Sequence, residues 1–171
     1  MRVLLLVPSV LCVVLANSSM SQNSVESRAT LLGLNGVAIL VDSLAAQIED
    51  KGITHKVLRV EVERCLLRAG IPVLNRNGAE PTVGDPILYL AVTTVFDEGV
   101  QQCTYGISLE LTQPVRLDRQ LEGDAFLATT WSVSGVGIYG HGWRDAIIQD
   151  VVNFTDEFID AYITANANIA E

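Results

Sequence analysis

The chain has 171 residues, of which 49% are hydrophobic and 18% are charged, and its formal net charge is −9. This length fits one domain, and the hydrophobic content is sufficient for a core, so extensive disorder is excluded. Because nucleic acids and anionic lipid surfaces repel an acidic protein, neither is expected as a partner.

The first residues have the pattern of a secretory signal peptide. Arg2 is followed by the uncharged stretch VLLLVPSVLCVVLA, which ends at Ala16. A bilayer-spanning helix needs about 20 apolar residues, more than this stretch supplies, and no cluster of Lys and Arg follows it. We therefore expect residues 1–16 to be removed, which leaves a periplasmic or secreted protein without a stable membrane anchor. The alternative is an uncleaved N-terminal anchor.

Two segments follow before the first predicted helix. The polar sequence SMSQNSVESRAT has no hydrophobic period, so we expect residues 17–30 to form a flexible leader. A single domain is expected over residues 31–168. Within it, GVAILV at 36–41 is continuously apolar and predicts a central strand that is covered on both faces.

An amphipathic helix and a second short strand are predicted next. Apolar residues at steps of four, three and four form one stripe, and Gly70 and Pro72 end the helix. The segment IPVLN at 71–75 would complete a β-α-β unit. The stripe consists of Leu58, Val62, Cys65 and Ala69.

Three longer strands and a final helix complete the predicted fold. One face of the second strand carries Cys103, Tyr105, Ile107, Leu109, Leu111, Val115 and Leu117, whereas Thr104, Ser108, Glu110 and Thr112 occupy the other face. This alternation favours antiparallel pairing with strands at 87–96 and 125–139. A helix is expected from about Trp143 to Ala165. The prediction is an α+β fold, β-α-β-β-β-β-α, with a mixed, mostly antiparallel sheet and two helices packed on one face.

The two predicted helices carry opposite charge. Residues 51–68 are net positive and residues 144–160 are net negative. The helices could lie side by side with complementary flanks, or both charged faces could simply be solvated.

The sequence SGVGIYGHGWRDAI contains Gly135-x-Gly137-x-x-Gly140 between a predicted strand and a predicted helix. A dinucleotide site needs a second parallel strand after that helix, and a phosphate-binding loop needs Lys followed by Ser or Thr. The chain supplies neither, so no cofactor is expected. We expect the strand to twist or bulge at Gly135 and Gly137 and to turn at Gly140 and Gly142 into the helix.

No catalytic residue and no metal site are expected. His141 and Asp145 are four residues apart and could share a ligand, but two donors fall short of the three or four that a metal site needs. The alternative to a non-catalytic protein is a small periplasmic enzyme with its site at 135–145, which would use His141, Asp145 and Trp143.

Cys65 and Cys103 are predicted to lie on buried faces. In an exported protein they could form a disulfide, or they could be two separate apolar fillers of the core.

The segments LNGVAILVDSL, VLRVEVERCLLRAGIPVL, ATTWS and EFIDAYITANA resemble a family of small uncharacterised exported bacterial proteins. More distantly, the order of helices and strands is similar to envelope accessory domains, such as the lipopolysaccharide-assembly lipoprotein and the amino-terminal domain of TolB. The resemblance implies export and an α+β fold, and it implies no catalytic residue.

These observations favour an exported interaction or accessory module that binds an envelope protein. The less apolar face of the sheet would dock the partner, with Trp143 as an aromatic anchor, whereas Trp131 is expected in the core. A carrier of an apolar ligand, held between sheet and helices, is a further alternative. The predicted docking residues are Thr104, Ser108, Glu110, Thr112 and Trp143.

Overall fold

The computed structural model describes residues 19–21, 24–75, 79–120 and 125–167. A short 3-10 helix at Asp118–Gln120 follows the fourth strand. The strands and helices are β1 (Ser19–Ser21), α1 (Val25–Ala29), β2 (Ala38–Val41), α2 (Ala46–Glu49), α3 (His55–Arg68), β3 (Ile87–Asp97), β4 (Gln102–Val115), β5 (Phe126–Tyr139) and α4 (Trp143–Asn166).

The fold is α+β, as the sequence predicts. Five strands form one sheet in the order β1-β5-β4-β3-β2. The β2–β3 pair is parallel and the other three pairs are antiparallel. α3 and α4 contact each other, and they pack against β2 and against β4 and β5, respectively. Within the described part of the chain, no helix is long and apolar enough to cross a membrane.

The core lies between the sheet and the two long helices. Trp131 is 0% exposed and meets Phe158 edge-on, with 5.3 Å between ring centroids, so Trp131 is a core residue, as predicted. Alternate strand residues face α4, whose buried stripe has the helical period that the sequence shows. Buried members of this core include Leu88, Leu90, Ile107, Leu109, Leu111, Val133, Ile147, Val151 and Phe154.

The strand predicted at 71–75 is reduced to one parallel bridge, between Val37 and Val73. Beyond this bridge, the side chain of Asn75 makes the hydrogen bonds to β2 that the backbone of a neighbouring strand would otherwise make. Asn75 Oδ1 accepts a hydrogen bond from the Ile39 N–H at 2.7 Å, and Asn75 Nδ2 donates to the Ile39 carbonyl at 2.8 Å. The edge of β2 is thereby satisfied without a second full strand.

The described structure begins before Leu31, in the segment 17–30 for which the sequence predicts a flexible leader. β1 pairs with β5, and α1 is capped by Ser24, whose hydroxyl accepts from the Ser27 N–H at 3.2 Å. The chain just after α1 is tied to α4, because Asn166 accepts from Gly33 N and donates to the Leu31 carbonyl. The predicted signal peptide at 1–16 lies outside the described residues.

The bulge of β5 lies elsewhere than predicted. The pairing register of β4 and β5 shifts between Leu111 and Thr112, opposite Thr130. It does not shift at Gly135 or Gly137. Thr130 Oγ1 accepts from the side-chain amide of Gln113 at 2.8 Å, and the same amide donates to the Thr30 carbonyl. These bonds join the bulge to the end of α1, which the sequence pattern does not reveal.

α3 and α4 lie side by side, which confirms the first of the two arrangements that their charges allow. Arg68 and Asp156 approach to 3.7 Å, and their side chains are 61% and 50% exposed. A pair that is this accessible contributes little to stability, so apolar packing, and not charge, holds the helices together.

Candidate functional site

One face of the sheet points away from α3 and α4, and we call it the open face. Cross-strand register aligns its residues in rows, such as Ala91, Ser108 and Ser134, and the next row of Thr93, Gly106 and Val136. The open face includes Tyr89, Ala91, Thr93, Val95, Asp97, Gln102, Thr104, Gly106, Ser108, Glu110, Thr112, Ser132, Ser134, Val136 and Ile138.

The four predicted docking residues of β4 lie together on the open face. Thr104 is exposed, and Ser108, Glu110 and Thr112 are partly buried, as the alternation of β4 requires. The fifth predicted residue, Trp143, does not join them.

Trp143 is only 8% exposed, and it lies at the start of α4 with its ring 6.3 Å from that of Phe96. Phe96 faces the helices, so the indole is held on the opposite side of the sheet. The prediction that Trp143 anchors a partner is therefore wrong, because its apolar surface is already buried within the fold.

The open face is low in charge and has small side chains at its centre. Within the described strands, Asp97 and Glu110 are the ionised side chains on this face, and Glu110 accepts a hydrogen bond from Thr129 at 2.9 Å. A shallow depression of about 310 Å³ lies over the centre, where Ala91, Gly106 and Ser108 form part of the floor. The depression forms because these side chains are small.

Exposed aliphatic side chains lie at one end of this depression. Val95, Val136 and Ile138 are 71%, 61% and 45% exposed. Val95 and Ile138 flank Thr104 on either side, and Val136 lies beside Gly106. A cluster of accessible apolar groups on a flat surface is typical of a protein-binding site.

The opposite end of the open face is polar. Tyr89 is paired with Glu110 across the strands. A hydrogen bond with Asp42 raises the pKa of Tyr89, and partial burial contributes in the same direction. The phenol therefore remains neutral at physiological pH, and negative charge at this end comes from Asp42 and Glu110.

Sequence reasoning missed Val95, Val136 and Ile138. Their positions follow from the same alternation that identifies the β4 residues, once it is applied to the neighbouring strands. The signal was therefore present, but it required the strand register, which places Val95 and Ile138 on either side of one β4 residue.

The glycine loop, residues 140–145, forms a second depression of about 310 Å³ together with Gln101. Gly142 has φ +85° and begins α4, so the predicted turn into the helix is confirmed. His141 and Asp145 are exposed, and no hydrogen bond or ion pair joins them in the described structure. Among the described residues, no group of three or more His, Cys, Asp or Glu side chains could hold a metal ion.

The glycine pattern has a packing explanation. A Cβ atom at Gly137 would lie 2.4 Å from Cζ of Tyr105, so the Tyr105 ring occupies the space of a side chain. The Tyr105 hydroxyl donates to Asp150 at 2.7 Å, which connects β4 to α4. Gly137 therefore accommodates a core tyrosine, and this accounts for the central glycine of the pattern without a nucleotide.

Cys65 and Cys103 are both buried free thiols, which corresponds to the second of the two alternatives, separate apolar fillers of the core. Cys65 lies on α3 near Arg68, whereas Cys103 begins β4 opposite Phe96 and Tyr139. The two thiols thus belong to different parts of the core. Burial raises the pKa of both thiols, which keeps them protonated and unreactive.

No protein-family model, curated protein or solved structure matches this chain.

Proposed function

We propose that this chain is an exported, non-catalytic accessory module that binds an envelope protein through the open face. The observation that carries the proposal is the exposure of Val95, Val136 and Ile138 on a face whose central rows contain no ionised side chain within the described strands. Export is supported by the signal-peptide pattern of residues 1–16.

A sheet face that only contacts water normally alternates polar and charged side chains with its buried residues. The open face instead carries small and aliphatic side chains at its centre. Desolvating Ala91, Gly106 and Ser134 removes no ionised group from water, so a partner can cover them without the cost of burying a charge.

The partner that fits this surface is a protein with an apolar patch. The face has no Lys or Arg among its residues, and the chain as a whole has a formal charge of −9. An anionic lipid surface would therefore be repelled, while an uncharged protein surface would not.

The test compares two double variants with the same change of charge. Val136→Lys with Ile138→Lys alters the open face, and Leu67→Lys with Ile163→Lys alters exposed helix positions that are 42% and 51% accessible. Each is expressed in the cell that makes the protein, and the envelope fraction is analysed by size-exclusion chromatography without denaturant.

We expect the wild type and the helix variant to elute in a complex with a second protein, and the open-face variant to elute as a free chain. Mass spectrometry of the same fraction should show a mature chain that begins at Asn17. A wild type that elutes alone, a complex that contains only copies of this chain, or equal loss of the complex in both variants would contradict the proposal.

A further inference from the structure

A cavity of about 580 Å³ lies beside β2 and α3, and it shares no lining residue with the depression at the centre of the open face. This volume is within the range of small-molecule sites. Apolar and ionised side chains share its wall, among them Val41, Lys56, Arg59, Val60, Glu63 and Glu80. We call it the β2 cleft.

The guanidinium of Arg59 is held in one place in the β2 cleft. It donates to the Ile39 carbonyl and to the Asn75 carbonyl, and Asn75 Oδ1 accepts from it at 3.2 Å. Asn75 is itself fixed, because its side-chain amide also bonds both backbone groups of Ile39. The orientation of Arg59 is thus set by the fold before any ligand arrives.

The charge of Arg59 is not compensated. Among the described residues, no carboxylate lies within ion-pair distance of it, and its buried Nε has no hydrogen-bond partner. All of its hydrogen bonds go to neutral amide oxygens. A fixed cation in a cleft, without an ion-pair partner, is suited to binding an anion.

Lys56 adds a second positive charge on the same side of α3. It precedes Arg59 by three residues, and both line the β2 cleft near the start of the helix, where the helix dipole is also positive. Glu63 and Glu80 line the cleft as well. Two carboxylates at the rim disfavour ligands with more than one negative charge.

The remaining wall is apolar. Val41 and Val60 lie in the cleft, and Val60 is 51% exposed. We propose that the β2 cleft binds a small monocarboxylate with an apolar body. The carboxylate contacts Arg59 and Lys56, and the apolar body covers Val41 and Val60. This site is independent of the open face, and its test needs no protein partner.

The test is an NMR titration of the folded protein with octanoate, octanol and inorganic phosphate. We expect octanoate to cause saturable shifts of the Val41 and Val60 methyl signals and of the Arg59 Nε–H. Octanol should bind at least about tenfold more weakly, and phosphate should leave these signals unchanged. Equal affinity for octanol, displacement of octanoate by phosphate, or shifts centred on Val136 would overturn the proposal.

Variants separate ligand binding from folding. Arg59→Gln removes bonds that hold β2, so Lys56→Gln and Val60→Asp provide the decisive comparison. Lys56→Gln should weaken octanoate binding by about three- to tenfold, and Val60→Asp by about tenfold or more. The matched control is Leu67→Asp, at a 42% exposed position two turns further along α3 and outside the cleft. Unchanged affinity in Val60→Asp, or equal weakening in Leu67→Asp, would overturn the site.

Discussion

The ring of Tyr105 lies against Gly137 on the neighbouring strand, where a Cβ atom would come within 2.4 Å of the ring. Both residues belong to the helix-covered side of the sheet, and the Tyr105 hydroxyl reaches Asp150 on α4. The glycine pattern suggests a phosphate site, but its central glycine, Gly137, lies where the large Tyr105 ring packs over the neighbouring strand.

Gly137→Ala should destabilise the protein by about 1–3 kcal/mol, because the added methyl must displace the Tyr105 ring. Gly140→Ala is the matched control, since the nearest atom to its added Cβ is the Gln101 carbonyl at an ordinary 3.9 Å. Urea unfolding measures both. Equal stability of the two variants would contradict the packing explanation.

The Tyr105 phenol should make stability depend on pH at the alkaline end. Burial and the hydrogen bond to Asp150 raise the pKa of Tyr105 above its ordinary value of 10.0. The unfolded chain therefore loses this proton first, so the stabilising effect is complete below pH 10.0 and falls as pH rises above it.

Tyr105→Phe isolates this effect. Between pH 10 and 11, the wild type should lose about 1 kcal/mol more unfolding free energy than the variant, as expected for one proton. Unfolding curves at both pH values measure the difference. Parallel losses in the two proteins would show that Tyr105 ionises equally in the folded and unfolded states.

Asn75→Ala should destabilise the protein by about 1–3 kcal/mol, because the buried Ile39 N–H loses its acceptor. Leu74→Ala, at a 44% exposed neighbouring position, should cost much less. Chemical denaturation of both variants tests this role. Similar losses would mean that the Asn75 side chain does not stabilise the edge of β2.

The two thiols should resist alkylation in the folded protein. Cys65 and Cys103 are both 0% exposed, and burial raises the pKa of each. Iodoacetamide should modify both thiols only after denaturant is added. No reductant should be required for this modification. A disulfide-linked peptide pair, or rapid modification of the folded chain, would contradict the structure.

The sequence predicts those parts of the fold that depend on regular periods. The alternation of β4 and the apolar stripe of α4 are long enough to identify a strand and a helix and their buried faces. The same alternation places Ser108 and Glu110 correctly on the open face.

Features that depend on tertiary contacts were not predictable. α1 has only five residues, and the chain just after it is held by Asn166, which lies far along the chain. To predict that the Asn75 side chain takes the place of a strand, the distance between Asn75 and Ile39 must be known. To predict that Trp143 is buried, the position of Phe96 must be known. The spacing of apolar residues along the sequence contains no information about these distances.

The role proposed for the open face is contact with another protein. The most direct measurement is photo-cross-linking in the producing cell, with a benzophenone amino acid at Val136 or, as a control, at Leu67. We expect one cross-linked product at Val136 that joins this chain to a second envelope protein, and none at Leu67. No product at Val136, or the same products at both positions, would contradict the account.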